Sequence, residues 1–191
     1  ENVSDALFTT VKLGVTDFTE LGTNIGKVTP LAAALGIEFD SVAGMFASLT
    51  ITLGKGQTAV AATQIKTMLA ELSSETKVAG KNFKELTGIA FTEFIAKGGD
   101  MQGALRLMSK GADDSGVSVK DLFGSIQGGM AALALSADGA KDLGNAMDAM
   151  GKKMGATKTA ADEVGKSVGV DLEKAFQRVK NAGISLGDGL S

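Results

Sequence analysis

Histidine, cysteine, tryptophan and tyrosine are all missing from the 191 residues of this chain, and proline occurs once. The commonest general base, the commonest metal ligand and the thiolate nucleophile are therefore absent. Carboxylates, lysines and hydroxyl groups remain, but they catalyse only in a recognisable pocket arrangement, and the sequence displays none. We predict that the chain is not an enzyme, with no catalytic, cofactor-binding or metal-binding residue. The lack of cysteine also excludes a disulfide framework.

The chain also lacks a strong net charge of either sign. The 19 basic and 22 acidic residues give a net charge of −3 and are spread along the chain. A nucleic-acid-binding protein normally carries a clustered basic face, so we predict no specific nucleic-acid partner. The chain begins with Glu1 and shows no signal peptide, and we expect a fragment of a longer chain.

Long hydrophobic runs are absent. The longest uncharged windows, 41–54 and 122–137, are shorter than the roughly 18 residues that cross a bilayer. We interpret both as core helices. The windows nevertheless motivate an alternative function, a membrane-active module that helps deliver DNA across a host envelope.

Glycine is plentiful, with 26 residues, and divides the chain into short segments of helical periodicity. No segment alternates with a period of two, so we predict an all-α bundle of about seven to nine short amphipathic helices joined by Gly-rich turns. The chain, 1–191, is predicted to be a single helical module, or two lobes (1–112 and 117–191). The loop-like stretch 111–116 would be their boundary.

Capping residues mark several helix starts in the first half. Asp17 precedes a helix with Glu20 three residues on, Thr29 and Pro30 open a short helix, and Gly36 ends it. The helix over 57–72 has the clearest apolar face (Ala61, Ile65, Met68, Leu69, Leu72), with Thr63, Lys66 and Glu71 on the surface. A helix over 75–87 closes at Gly88 and has Val78, Phe83 and Leu86 as inward candidates. The other predicted helices cover residues 38–53, 91–97 and 100–110.

The second half continues the same pattern. Ser118, with Asp121 three residues on, is predicted to form a capping box that opens one long helix whose inner face contains Leu122, Phe123, Ile126, Met130 and Leu133. Ser136 restarts a helix that carries Leu143, Met147, Met150 and Met154. We predict that Thr159 and Asp162 form a further capping box and that a last helix near 171–181 buries Leu172, Ala175, Phe176 and Val179.

Three motifs have plainer interpretations than a ligand site. Gly165-Lys166-Ser167 resembles the end of a phosphate-binding loop, but Ala160 replaces its required first glycine. The carboxylates of Asp113, Asp114 and Asp121 do not have calcium-loop spacing and indicate a solvated turn. The Met147, Met150 and Met154 stripe suits core packing better than an adaptable binding face.

The stretch from Thr19 to Ser73 resembles the core region of phage tail tape measure proteins. The matching features are the pattern V-x-P-L-A-A-A-x-G (Val28 to Gly36) and the turn G-x-G-x-T-A (Gly54 to Ala59). An Ala/Leu-rich helix follows and ends in the loop at Ser73 and Ser74. The likeness continues through KELTGIAFTEFIAKGGDMQGALRLM and the Met-Gly-Ala-Thr beginning at Met154, and it covers nearly the whole chain.

The resemblance implies a structural virion protein. Such proteins are rulers that fill the lumen of the growing tail tube, set its length and leave ahead of the DNA. The implied partners are tail tube and tail tip proteins, tail assembly chaperones and further copies of the chain, with a membrane only during ejection. The implied location is the tube lumen of the virion tail, and the host cytoplasm during assembly. Because loops interrupt this segment, we expect a globular module, with the metering rod elsewhere in the parent chain.

Overall fold

A computed structural model of the protein describes residues 2–136 and 139–152. Within these residues every regular element is a helix, which confirms the all-α prediction. The ten α-helices there are α1 (Asn2–Leu13), α2 (Phe18–Ile25), α3 (Thr29–Ala34), α4 (Phe39–Leu53), α5 (Thr58–Leu72), α6 (Val78–Thr87), α7 (Phe91–Ala96), α8 (Met101–Asp114), α9 (Ile126–Ser136) and α10 (Gly139–Gly151). A 3₁₀ helix, Val119–Leu122, lies between α8 and α9.

Local signals set several helix ends, as predicted. The Asp17 side chain accepts a hydrogen bond from the Glu20 backbone N–H at 2.9 Å and so caps α2. Gly36 and Gly88, which end α3 and α6, have φ of 75° and 80°. Only glycine adopts this left-handed backbone without strain, and this explains why both helices stop there.

Helix α4 is the centre of the core. All residues from Ser41 to Thr50 are buried, and α4 contacts α1, α5 and α10 most extensively. Helix α5 packs beside it with the predicted inner face, because Ala61, Ile65, Met68, Leu69 and Leu72 are all buried. Since residues 41–50 of the first uncharged window are buried in α4, this window forms a core helix, as expected.

The later helices complete the same core. Helix α9 packs mainly against α5, and α10 packs mainly against α4. Buried residues of α9 and α10, including Ala131, Leu135 and Leu143, belong to the same apolar cluster as those of α4 and α5. The division of the chain into two lobes stays a prediction, since 153–191 lies outside the described residues.

One helix is not among the predicted ones. Helix α1 (Asn2–Leu13) contains β-branched residues that weaken its local signal. Tertiary contact with α4 stabilises it: Ala6 and Leu7 are buried, and the Thr10 hydroxyl lies 3.3 Å from the Ala43 carbonyl oxygen.

The predicted loop over 111–116 is wrong for most of its length. Helix α8 continues through Gly111 and Ala112 to Asp114, and both of these residues are buried. Leu86 of α6 lies against the backbone of Gly111: a Cβ atom there would be 2.4 Å from Leu86 Cδ2. The chain turns only at Ser115 and Gly116, where φ is 69°.

The single long helix predicted after Ser118 is also wrong. Ser118 does form the predicted capping box with Asp121, but it opens the short 3₁₀ helix. Phe123 is extended, at φ −110° and ψ 148°, and α9 begins only at Ile126. This break changes the helical phase, so that Phe123 is buried whereas Ile126 and Met130 are exposed, contrary to prediction.

Four further side chains differ from their predicted roles. Val78 and Leu86 are exposed, so Phe83 alone of the three inward candidates in α6 is buried. Thr29 does not cap α3, since Val28 has the cap position. Ser136 ends α9, although it was expected to start a new helix. The predicted capping box at Thr159 and the helix near 171–181 lie outside the described residues.

Candidate interaction surfaces

Glu71 lies in a buried polar junction between α5 and the start of α9. The residue is 4% exposed, and its Oε2 accepts a hydrogen bond from the Gly124 backbone N–H at 2.8 Å. The Ser125 Oγ accepts from the Gly128 N–H at 3.1 Å and caps the first turn of α9. A carboxylate beside a helix N-terminus is favoured by the helix dipole. The prediction that Glu71 lies on the surface is wrong, and its role is to fix where α9 begins.

A second polar junction joins α2 to the start of α5. The Thr58 hydroxyl donates to Glu20 Oε2 at 2.8 Å and lies 2.7 Å from the Thr16 hydroxyl. A third junction joins α6 to the 3₁₀ helix, where the Asn82 side-chain amide donates to the Leu122 carbonyl at 2.8 Å. Each junction connects two elements that are distant in sequence. Their geometry therefore explains helix placement.

The three aspartates near the end of α8, whose spacing does not fit a calcium loop, have ordinary surface roles. Asp113 and Asp114 are exposed at the end of α8, and Asp121 accepts from the Ser118 N–H at 3.1 Å. The Asp114 carboxylate accepts a hydrogen bond from Lys110 at 2.6 Å and raises the pKa of that ammonium above its usual 10.5. Among residues 2–136 and 139–152, no cluster of three or more acidic side chains could hold a metal ion.

The methionines of α10 belong to the core as far as the structure describes them. Met150 is buried with Ala6 and Ala43, and Met147 is half-buried against α4. A Cβ atom added at Gly44 would lie 2.8 Å from Met147 Sδ, which shows how closely α10 approaches α4 there. Met154 and the Gly165-Lys166-Ser167 motif lie outside the described residues.

A cleft of about 360 Å³ lies between α8 and the end of α9. Charged side chains of both signs on α8, including Arg106 and Asp113, surround the apolar side chains of Leu105 and Leu135.

The outer face of α9, defined here by Ile126 and Met130, is the most exposed apolar surface on a helix of the described residues. Ile126 is 84% exposed and Met130 is 43% exposed, and they are four residues apart on one side of the helix. The following residue on this side, Leu133, is partly buried against the core. These residues were expected in the interior, and the local signal that reveals the break is Gly124 followed by Ser125, which caps α9.

None of the helices formed by residues 2–136 and 139–152 is both long enough and apolar enough to cross a membrane. The first uncharged window forms α4, and the described part of the second forms the end of the 3₁₀ helix, the turn after it and α9.

Comparison with known proteins gives a consistent assignment. A family model described as phage-related minor tail protein matches residues 1–124. The chain is 31% identical over 192 residues to the "Probable tape measure protein" of Clostridium phage phiCD119. That alignment covers 97% of this chain but only 20% of the relative, so the chain spans about one fifth of the relative's length. No solved structure gives a significant match.

Proposed function

We propose, because the chain belongs to the family of phage-related minor tail proteins, that it is a globular helical module of a tail tape measure protein. The resemblance first observed from Thr19 to Ser73 is confirmed by the family match and by the phiCD119 relative. A structural role in a phage tail follows from the family. We infer that the module acts through helix packing and protein contacts, and that it is not an enzyme.

The finer role is part of the proposal. The parent protein determines tail length, supports assembly of the tail tube and leaves the tube before the genome. Its partners are tube and tip proteins, assembly chaperones and further copies of itself. It occupies the tube lumen in the virion, and the host cytoplasm during assembly.

Helix dimensions favour a module over a measuring rod. The longest described helices, α4 and α5, have 15 residues each and are about 22 Å long. All 191 residues in one helix would reach about 290 Å, whereas a folded domain of this size has a radius of gyration of roughly 16 Å. Because the described helices fold back on one core, we place the rod elsewhere in the parent chain.

The observation that carries the proposal is the match to the phiCD119 relative along 97% of this chain. The described part of the matched chain is a set of helices around α4, joined by polar junctions. Such a unit is suited to positioning a long protein within an assembly, since its contacts are made by surfaces.

Deleting residues 57–72 from the parent gene tests the role. These residues include all of α5, and we expect either no tails or tails of unchanged length, because the deletion removes part of the core. Electron microscopy of many particles measures the mean tail length. A matched deletion in a continuous helical part of the parent chain is the control, and a rod should shorten there by about 1.5 Å per residue. Tails shorter by about 24 Å after the 57–72 deletion would contradict the module proposal.

An insertion separates metering from misfolding. Lys55 and Gly56 form an exposed turn between α4 and α5, where added residues leave the core intact. A helical insertion of about 14 residues there should leave tail length unchanged, whereas a metering segment would lengthen tails by about 21 Å.

We further infer that the module opens or rearranges on assembly, because a compact bundle fits tightly in a narrow tube and the chain has 26 glycines. Solution scattering of this chain, compared with a density map of intact tails, tests this inference. The same compact fold in solution and in the tail would contradict this inference.

The membrane-active alternative stays a prediction. Residues 41–50 of the first uncharged window are buried in α4, so membrane action by that window would require the bundle to open first. Liposome leakage and co-sedimentation measure it directly, and an absence of binding at every lipid composition would remove this alternative.

A further inference from the structure

Four large apolar side chains are exposed where α6 meets the start of α9. Val78 and Leu86, two turns apart on α6, are 46% and 42% exposed, and they extend the outer face of Ile126 and Met130. The two parts are adjacent, because a Cβ atom at Gly124, two residues before Ile126, would lie 3.1 Å from Val78 Cγ2. We call these four residues the apolar strip. An exposed apolar patch that spans several elements marks a protein contact site.

Side-chain hydrogen bonds hold the elements of the apolar strip in one arrangement. The Asn82 amide of α6 donates to the Leu122 carbonyl oxygen at 2.8 Å, and Glu71 of α5 accepts from the Gly124 N–H at the same distance. Both bonds end on the segment that leads into α9. A partner therefore meets a preformed surface, and binding costs little ordering entropy.

Charged side chains of both signs border the apolar strip. Lys81 and Glu85 are exposed one turn apart on α6, and Lys120 and Asp121 are exposed on the 3₁₀ helix. Within the described part of the chain, Lys81 and Glu85 have no ion-pair partner. A border of one sign would favour a partner of opposite charge and repel a second copy. A border of both signs lets two copies pair, because a two-fold axis can place each charge opposite a different one.

We propose that two copies of the chain associate through the apolar strip, with their α6 helices antiparallel across a two-fold axis. The axis passes close to Asn82, so that Val78 of each copy faces Leu86 of the other. Lys81 of each copy then lies within reach of Glu85 of the other, which gives both side chains an ion-pair partner. The outer face of α9 flanks this contact and widens it. The inference rests on the proposed function, which includes further copies among the partners, and it adds the surface through which they meet.

Sedimentation of the 191-residue chain over a range of concentrations tests the association, with Ile126→Asp as the disrupting variant. A carboxylate within the apolar contact should weaken the dimer at least about tenfold. Ile126 is the first residue of α9, where the helix dipole favours an acidic side chain, so the variant should keep its fold. Circular dichroism checks this.

Val60→Asp is the matched control. Val60 is also exposed and lies in the first turn of a helix, α5, so the dipole favours an acidic side chain there as well. The start of α5 is about 16 Å along the helix from Glu71, which lies next to the apolar strip. Val60→Asp should therefore leave the dimer unchanged.

Reciprocal charge variants test the two-fold arrangement. Lys81→Glu and Glu85→Lys each place like charges opposite one another in a dimer of identical chains, and each should weaken the association several-fold. In an equal mixture of the two variants every charge again faces its opposite, so dimers should reappear. Lys66→Glu, at an exposed lysine of α5, controls for the change in net charge and should have little effect.

Three outcomes would overturn the proposal. A chain that stays monomeric at every concentration would assign the apolar strip to another protein. A dimer that Ile126→Asp leaves intact would place the contact elsewhere on the chain, and a mixture of the charge variants that fails to dimerise would rule out the antiparallel arrangement. Sedimentation of the chain does not involve tail length, so the deletion and insertion experiments judge the module proposal separately.

Discussion

Helices α4 and α9 contain most of the two long uncharged windows of the sequence, and they are covered to different extents. In α4 every residue from Ser41 to Thr50 is buried. In α9 one side is buried against α5, while Ile126 and Met130 are exposed on the other. Two helices of similar composition therefore have different environments, because α4 lies among α1, α5 and α10 whereas α9 lies at the edge of the bundle.

This difference shows what hydropathy does and does not specify. An uncharged apolar segment that forms a helix must be covered by other elements, but its sequence does not specify which element covers it. For α4 the described helices cover every residue from Ser41 to Thr50 and leave Ile51 exposed. For α9 they cover one side and leave Ile126 and Met130 exposed.

The largest expected effect comes from the interior of α4. Phe46 is fully buried, and Phe46→Ala should lower the free energy of unfolding by about 3–5 kcal/mol, because it removes apolar contacts and leaves a cavity. Urea unfolding followed by circular dichroism measures the change. The matched control is Ile51→Ala on the exposed side of the same helix, with an expected loss below about 1 kcal/mol. Comparable losses at the two positions would mean that α4 is not the centre of the core.

The next effect concerns the junction that positions α9. Glu71→Ala removes the acceptor for the Gly124 N–H and should cost about 1–3 kcal/mol. Glu71→Gln keeps an acceptor oxygen at the site and should cost less. Hydrogen exchange should show the loss first at the start of α9, since this contact fixes where the helix begins.

Glu75→Ala is the control for that junction. Glu75 forms an exposed ion pair with Lys84, raising the pKa of the lysine above 10.5, and such exposed pairs contribute little to stability. If Glu71→Ala and Glu75→Ala had the same effect, the buried junction would not be what positions α9.

The smallest expected effect compares one glycine of each helix. A Cβ atom at Gly129 of α9 would lie 2.7 Å from the Lys120 carbonyl oxygen, a backbone atom that cannot move freely. Gly129→Ala should therefore destabilise by about 1–2 kcal/mol, even after the gain in helix propensity. At Gly44 of α4 the obstacle is the flexible Met147 side chain, so Gly44→Ala should change stability by less than about 1 kcal/mol. Thermal unfolding of both variants measures the difference, and a reversed order would mean that α10 is fixed more rigidly than the 3₁₀ helix.

The parts of the fold that were predictable rest on local signals. Asp17 and Asp100 cap their helices through their own side chains, and Gly36 and Gly88 end helices with the backbone angles that glycine permits. The face of α5 was predictable because its apolar spacing is regular over four turns. The membership of the tape measure family was likewise readable from the order of motifs between Thr19 and Ser73.

The parts that were not predictable depend on contacts between distant residues. Glu71 has the sequence context of a surface residue, and only the turn at Gly124, far along the chain, makes it an internal acceptor. The break at Phe123 is a second case of this kind. Phe123 is buried with an extended backbone, and this interruption of the helix changes the side on which Ile126 lies. Neither the burial of Glu71 nor the break at Phe123 is visible in the apolar periodicity of the sequence.

The sequence by itself determined that this chain forms helices, where most of them start and stop, and which family it belongs to, because these properties depend on neighbouring residues or on motif order. The tertiary structure decided which apolar window is enclosed and which keeps an open face. That outcome depends on how many neighbours surround each helix, a quantity that arises only when the whole chain packs.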